Sequence, residues 1–134
     1  MKIVKILENI PPDSSQLLEL YRTVGWLTFE DDTSIVEEIL ENTDEFVCIY
    51  MGDTLVAFGR MLTDYRMSAF LDDIVVHPGF RHMGFGSIII NILIEKVPKV
   101  KKIKLTTFNA AEFYKKFGFS NPSCTPMELI LDQK

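Results

Sequence analysis

The sequence has few basic residues and no long apolar run. It contains 14 Lys and Arg residues against 19 Asp and Glu residues, a formal net charge of -5, whereas proteins that bind nucleic acid generally carry basic patches. No stretch approaches the roughly 20 apolar residues needed to cross a bilayer, and the N-terminus lacks the small-residue cleavage site of a signal peptide. We therefore predict a cytoplasmic protein with neither a nucleic acid nor a membrane as partner.

Cysteine is also scarce. Cys48 and Cys124 are far apart and have no metal-ligand spacing, so we expect two thiols and no metal site. Cys48 lies in an apolar, strand-like run and is predicted to be a core residue rather than a nucleophile. The 134 residues are 47% hydrophobic, which predicts one compact α/β domain over residues 1–134 and leaves no room for a second of normal size.

The spacing of apolar residues predicts alternating strands and helices. Strands are expected at residues 2–7, 46–51, 55–63, 68–76, 101–108 and 127–131. Helices are expected at residues 15–22, 32–41, 87–96 and 109–117. The two-residue connection Gly52-Asp53 is a hairpin signal, whereas the third helix joins two strands as a parallel crossover. The fold class is therefore α/β (α+β), with a mixed, mostly antiparallel sheet.

A glycine-containing loop connects the strand at 68–76 to the third helix. Residues 81–86 read Arg-His-Met-Gly-Phe-Gly, and a helix start offers free backbone N–H groups and a positive dipole end. Glycines at these positions let the backbone approach an oxygen-rich ligand such as a pyrophosphate. The dinucleotide pattern G-x-G-x-x-G is incomplete, because Ile89 occupies the third glycine position, and no Gly-Lys-Ser/Thr follows as in a P-loop.

Three segments resemble motifs of the GNAT superfamily of N-acetyltransferases, in the family's order. R-x-x-G-x-G at 81–86 is similar to its pyrophosphate loop, the preceding LDDIVVHPGF to its fourth strand, and NAAEFYKKFGF to its coenzyme-proximal helix. The resemblance is specific from about Phe46 to Phe119. It implies a sheet of six to seven strands flanked by about four helices and splayed between strands four and five, with acetyl-coenzyme A as co-substrate and no metal.

The resemblance also implies how the coenzyme is held. The backbone of Ile74, Val75 and Val76 is expected to bind the pantetheine arm and to polarise the thioester carbonyl, with Asn109 as a further contact to that arm. Arg81 is expected to add positive charge at the pyrophosphate. The backbone amides assigned to the pyrophosphate are those of His82, Met83, Gly84, Phe85, Gly86 and Ser87.

Two proton transfers are expected in the implied reaction, in which an amine attacks the thioester. Tyr114 matches the family's tyrosine that protonates the leaving sulfur, although a tyrosine on an amphipathic helix is also a common core residue. An amine of pKa near 10 must lose a proton before it attacks, and the candidate bases are Asp72 and Asp73. Subfamily precedent favours Asp73, whereas alternation along the strand places Asp72 on the face of residues 70, 74 and 76. Either aspartate is equally consistent with a structural ion pair to an arginine at position 60 or 66.

Two histidines and three aromatic residues complete the candidate set. His77 precedes a proline and is interpreted as a loop residue, and His82 as a side chain facing ligand or solvent. Trp26, Phe29 and Tyr65 are candidate walls of a substrate pocket, with a simple plug over the core as the alternative for the first two.

The acidic composition suits a cationic, partly apolar amine such as an arylalkylamine, a polyamine or an amino acid. Alternatives are a protein lysine or N-terminal amine substrate, and a non-catalytic module that binds coenzyme A as a sensor or partner subunit. A homodimer is also expected, with the C-terminal strand pairing across a two-fold axis.

Overall fold

A mixed sheet lies between two layers of helices in the computed structural model of the chain, which describes residues 2–131. Over these residues the sheet has five strands in the order β1-β2-β3-β4-β5. The strands are β1 Val4–Glu8, β2 Glu45–Met51, β3 Thr54–Thr63, β4 Ser68–Val76 and β5 Lys102–Lys104. The helices are α1 Ser14–Thr23, α2 Thr33–Glu41, α3 Phe85–Glu95 and α4 Ala111–Lys115, with a short 3₁₀ turn at Pro78–Phe80 before α3.

Aspartates fix the starts of the first two helices. The Asp13 carboxylate accepts the backbone N–H of Ser15 at 3.0 Å, and Asp32 accepts that of Ser34 at 2.9 Å. Each bond satisfies one of the donors that a helix start leaves unpaired. Asp13 and Asp32 therefore cap α1 and α2.

The strand connections confirm the predicted meander and crossover. Strands β1 to β4 pair antiparallel in sequence, and β4 pairs parallel with β5. This parallel pairing covers only three residue pairs, from Ser68 with Lys102 to Phe70 with Lys104. Within residues 2–131, the β5-side edge of β4 beyond Phe70 therefore has no strand partner, which is the expected splay.

Two predictions about the C-terminal part of the sheet are wrong. The strand predicted at 101–108 is only three residues long, and residues 127–131 form neither strand nor helix. The described sheet therefore has five strands instead of six to seven. Met127, Leu129 and Leu131 are 91%, 84% and 85% exposed, so these three side chains alternate as in a strand but are not buried.

Each face of the sheet has its own apolar core. Helix α3 and the aromatic residues of α4 pack on one face, with Ala69 and Leu71 of β4. Helices α1 and α2 pack on the other, with Cys48 and Val75 of the sheet. Cys48 is fully buried, as predicted, and burial raises the pKa of its thiol to about 12. It is therefore a core residue.

A β-bulge in β4 changes which residues share a face. Phe58 pairs with Val75 and Arg60 with Asp72, so Gly59 alone is opposite two residues, Asp73 and Ile74, which is the count that defines a bulge. Asp73 adopts a left-handed conformation with φ of 44°. Leu71 lies in the α3-side core before the bulge, and Ile74 packs against that same core after it. The prediction that Asp72 shares a face with residues 74 and 76 is therefore wrong.

Candidate active site

The start of α3 provides a ring of unpaired backbone donors. Gly84 caps the helix in the left-handed region at φ of 82°, and no side chain caps it. The first hydrogen bond of the helix runs from the Ile88 N–H to the Gly84 carbonyl at 3.1 Å. In the described part of the chain, no group accepts the backbone N–H groups of residues 85–87. Donors of this kind beside the positive end of a helix dipole form an anion site.

Gly84 leaves open space in front of these donors. A Cβ built on Gly84 meets nothing within 4 Å, and Arg81, His82 and Met83 are exposed beside it. Phe85 differs, because its side chain is 5% exposed and belongs to the α3-side core. Phe85 therefore offers a ligand its backbone and not its ring. The residues present fit a pyrophosphate group, because free backbone N–H donors, open space at Gly84 and the Arg81 side chain occur together at the helix start.

The helix start lies beside both β4 and α4. A Cβ on Gly86 would lie 3.4 Å from Cζ of Phe113 and 3.9 Å from Cγ2 of Val76. Val76 ends β4, on the strand whose β5-side edge is unpaired. The fold therefore brings together the predicted phosphate loop, the predicted pantetheine-binding strand and the helix that carries Tyr114.

Tyr114 lies on α4, on the α3 side of the sheet. Its ring makes edge contacts with Phe113 and Phe119, with centroid distances of 5.2 and 6.0 Å. Burial raises the pKa of the phenol. Within residues 2–131 its hydroxyl has no hydrogen-bond partner, so the group is a protonated donor that is available to a ligand.

A polar cluster lies on the other face of β4, away from α3 and Tyr114. Arg60 donates from Nε to Oδ2 of Asp73 at 2.7 Å and from Nη2 to Oδ2 of Asp72 at 3.0 Å. The Tyr21 hydroxyl donates to the same Asp73 oxygen at 2.8 Å. The Asp73 N–H donates to Oδ1 of Asp72 at 3.0 Å. Both aspartates therefore form the ion pair with Arg60 that the sequence allowed for either one.

The two carboxylates differ in their surroundings. The Asp72 side chain is 38% exposed and that of Asp73 is 20% exposed. Burial, and then the negative charge of Asp73, raise the pKa of Asp72 despite the opposing charge of Arg60. Burial alone lowers the pKa of Arg60, but its hydrogen bond to Asp73 and the charges of both carboxylates outweigh this and raise that pKa. The cluster therefore has one cation, two carboxylates and a net negative charge when both are ionised.

The predicted substrate aromatics do not lie together. The Trp26 ring is 6.2 Å from that of Tyr21, which places it next to the carboxylate cluster. Phe29 instead lies beneath the Arg22 guanidinium at 5.0 Å. Tyr65, in the β3–β4 turn, donates to Glu45 at 2.5 Å. Of the three, Trp26 is the one whose ring lies next to a member of the cluster, Tyr21.

The remaining predicted residues lie at the edges of the site. Asn109 is exposed just before α4. The ring nitrogen Nδ1 of His77 accepts the Gly79 N–H at 2.9 Å, which agrees with a loop role.

From the sequence, Tyr21 was not identified as a member of the cluster, and Arg60 was named only as one of two ion-pair partners for the aspartates. Tyr21 fits the apolar stripe of α1 and gives no local signal of its hydrogen bond to Asp73. Arg60 did give a signal, because it is a charged residue inside the apolar run of β3. Burial, followed by the charge and hydrogen bond of Asp73, raises the pKa of Tyr21, so its hydroxyl stays a donor.

A splayed mixed sheet, an uncapped glycine helix start and a tyrosine-bearing helix beside them together define the GNAT type of acetyltransferase fold. The comparison with protein families agrees, because residues 12–119 match the Acetyltransferase (GNAT) family. The chain belongs to this family.

Similar proteins include an uncharacterized N-acetyltransferase, ycf52, of Pyropia yezoensis, with 29% identity over 111 residues. The equivalent protein of Porphyra purpurea is 26% identical over 115 residues. Each match covers 78% of this chain and 63% of the relative, so the chain matches less than two thirds of the length of these relatives.

Solved structures share the fold. A GNAT family acetyltransferase of Streptococcus pneumoniae superposes with a TM-score of 0.82 at 24% identity, over 98% of this chain and 100% of the other. Glucosamine-6-phosphate N-acetyltransferase of Arabidopsis thaliana gives 0.77 at 18% identity, over 97% and 99%. Family membership supports acetyl transfer as the general chemistry of the chain.

Proposed function

We propose that this protein is an acetyl-coenzyme A-dependent N-acetyltransferase that acetylates a primary amine of a small molecule. The observation that carries the proposal is the convergence of the uncapped α3 start, the unpaired edge of β4 and α4 around Gly86. Acetyl-coenzyme A supplies the activated acetyl thioester when bound. The amides of residues 82–87 with Arg81 would hold its pyrophosphate, and the backbone of residues 74–76 with Asn109 its pantetheine arm.

Asp72 is the better of the two candidate bases. Asp73 receives two donors on one oxygen, from Tyr21 and Arg60, and its side chain is only 20% exposed, so it offers less access to a substrate nitrogen. Asp72 is more exposed, and its raised pKa brings it closer to neutrality, where general bases work best. Asp73 remains the alternative.

The protons balance as follows. The substrate nitrogen loses two protons as ammonium becomes amide. One goes to Asp72 and from there to solvent. The other restores, through solvent, the proton that the Tyr114 hydroxyl gives to the departing thiolate, so that the net reaction releases one proton. Tyr114 and Asp72 lie towards opposite faces of β4, which keeps the donor and the acceptor apart.

The substrate class follows from charge and from one aromatic ring. Two carboxylates against one guanidinium attract an ammonium group, and Trp26, 47% exposed, offers its ring to the apolar part of a cationic amine. Arylalkylamines, polyamines and amino acids have these features. Phe29 and Tyr65 stay candidates for contacts further from the amine.

The experiment is thiol release from acetyl-coenzyme A in the presence of a panel of amines, with a lysine-containing peptide and a free peptide N-terminus included. Release with a small amine supports the proposal, and release with the peptides alone indicates a protein substrate. Coenzyme binding without any release would identify a non-catalytic coenzyme A module.

Location and assembly are separate proposals. Within residues 2–131 no helix is long and apolar enough to cross a membrane, and a cytoplasmic location without nucleic-acid partners stays a prediction. We also propose a homodimer in which residues 127–131 of two copies cover each other across a two-fold axis. The exposed Met127, Leu129 and Leu131 support it, because extended alternation puts them on one side of the segment.

A further inference from the structure

The Tyr21–Arg60–Asp73 cluster lies beside the proposed base, and family membership assigns it no task. It contains a guanidinium that is 13% exposed and bonded to two consecutive carboxylates. Removing charged groups from water is costly unless each is well paired. An arrangement that takes residues from α1, β3 and a bulge in β4 therefore calls for an explanation.

The bulge brings the second carboxylate to this face. In a regular strand the neighbour of Asp72 would point to the opposite face, towards the apolar core under α3. The extra residue opposite Gly59 turns Asp73 towards Arg60 instead. A Cβ on Gly59 would lie 2.3 Å from Cγ2 of Ile89 and 2.8 Å from Cδ1 of Ile74, so the close approach of α3 requires glycine there.

Tyr21 and Arg60 both act on Oδ2 of Asp73, at 2.8 and 2.7 Å. Two donors to one oxygen fix the position of the Asp73 carboxylate. Asp72 receives one guanidinium donor and the N–H of Asp73. The Asp73 carboxylate is thus held next to Asp72 by two donors.

We propose that Tyr21 and Arg60 are positioning residues that hold Asp73 beside Asp72 as a fixed negative charge, so that Asp72 and not Asp73 exchanges the proton. The inference rests on the proposed function and deepens it. It gives the two aspartates different tasks, with Asp72 as the proton acceptor and Asp73 as the charge that makes it basic.

Among residues 2–131, Asp73 and Arg60 are the charged groups that act on the Asp72 carboxyl. On β5, Lys104 is in register with Phe70, two residues before Asp72. Helix α3 packs on the other face and carries one titratable residue, Glu95, at its last position. In the loop after α2, the Thr43 hydroxyl accepts a hydrogen bond from Arg60 Nη1 at 3.4 Å, and this hydroxyl does not titrate. The charges facing Asp72 are therefore Asp73 and Arg60, with Tyr21 acting through Asp73.

The test is a carbon NMR titration of the aspartate carboxyl groups in the protein without coenzyme or amine. Asp73→Asn removes the negative neighbour and is expected to lower the Asp72 midpoint by about one pH unit. Arg60→Met removes the cation and is expected to raise it by a similar amount. Tyr21→Phe removes one of the two donors that hold Asp73 in place, and is expected to move the Asp72 midpoint in the same direction as Asp73→Asn, by less. Arg22→Met, which removes a partly buried cation paired with Glu19, is the control and leaves the Asp72 midpoint in place.

The kinetic counterpart is the acidic limb of the pH profile of kcat/KM with an amine from the panel. It is expected to coincide with the Asp72 midpoint and to move in opposite directions in Asp73→Asn and Arg60→Met. A purely structural cluster would lower Tm in these variants without moving the limb, and midpoints that stay put would overturn the inference. The titration needs no acetyl transfer, so it tests the coupling between Asp72 and its neighbours independently of activity. If no amine in the panel is acetylated, that result contradicts the proposed function and not the coupling.

Discussion

Asp72 and Asp73 are consecutive in the chain, yet both carboxylates contact one guanidinium, that of Arg60, at 3.0 and 2.7 Å. Consecutive residues of a regular strand point to opposite faces, so this arrangement exists only because β4 is bulged opposite Gly59. The bulge lies where β4 has lost its partner β5, at the edge proposed to bind the thioester. One local irregularity thus shapes the proposed base and lies beside the proposed coenzyme cleft.

The anion site at α3 predicts a specific loss of coenzyme binding in Gly84→Val. Acetyl-coenzyme A at about 100 times its Kd should stabilise the wild-type protein by about 2.7 kcal/mol. In the variant this stabilisation should vanish, because a branched side chain would fill the space in front of the donors. The measurement is Tm with and without coenzyme.

Gly25→Val is the matched control for backbone strain. Gly25 also has a left-handed φ, 78° against 82°, and open space at its Cβ position. Both variants should lose similar intrinsic stability, and only Gly25→Val should keep the coenzyme effect. A folded Gly84→Val protein with wild-type affinity would falsify the pyrophosphate assignment.

Tyr114→Phe should lower kcat by about 10²-fold or more with little change in coenzyme affinity. The substitution keeps the ring contacts with Phe113 and Phe119 and removes only the hydroxyl. Because burial raises the pKa of Tyr114, the wild-type hydroxyl should remain a donor well into the alkaline range. Tyr50→Phe, a tyrosine on β2 whose ring lies under Lys5, is the control; an unchanged kcat in Tyr114→Phe would make Tyr114 a packing residue.

The two aspartates should separate in kinetics and stability. Asp72→Asn is expected to lower kcat/KM at neutral pH, with the loss easing as pH rises and free amine becomes abundant. Asp73→Asn should keep Asp72 as the base and move the acidic limb of the pH profile, and it should also cost about 1–3 kcal/mol of stability, since it weakens bonds from Arg60 and Tyr21. Stopped-flow thiol release and denaturant unfolding measure the two effects. If both variants keep the wild-type pH profile, neither carboxylate is the base.

The raised pKa of Asp72 also predicts how stability depends on pH. Asp72 loses its proton at a lower pH in the unfolded chain than in the folded protein. Its contribution to the free energy of unfolding is therefore greatest below the ordinary aspartate pKa, and is lost as pH rises through the folded value. Relative to Asp72→Asn, the wild-type protein should become less stable over that range. Parallel unfolding curves for the two proteins at all pH values would contradict the prediction.

The proposed homodimer through residues 127–131 should dissociate when a charged side chain is placed on its apolar contact side. Leu129→Lys places a cation on the exposed apolar side of residues 127–131 and should convert a dimer into a monomer at micromolar concentration. Glu128→Lys, which adds the same cation at the adjacent position, is expected on the other side of the extended segment and should leave the dimer intact. Light scattering after size-exclusion chromatography distinguishes these outcomes, and a wild-type monomer would contradict the proposal.

Local sequence patterns were enough for most elements and for the glycine-capped start of α3. Apolar periodicity placed α1 to α3 and β1 to β4 within about two residues of their ends, because burial on one face imposes a period of 2 or 3.6. The glycines at 84 and 86 marked the proposed anion site, because the backbone conformation there is itself a local property. The resemblance to the GNAT family added the splay between β4 and β5.

Long-range contacts decided the rest. Strand alternation assigned Asp72 and Asp73 to opposite faces, and only the register of β4 against β3 reveals the extra residue that reverses this. Tyr21 joins the cluster across 52 positions of sequence, a contact that no local pattern in α1 marks. Residues 127–131 have the composition of a strand but gain that structure only if an edge is present to pair with. The sequence by itself determined most of the apolar faces and the position of the helix start where we propose that an anion binds. Tertiary structure decided which charged groups meet, because charge pairing depends on distances between segments that are remote in the chain.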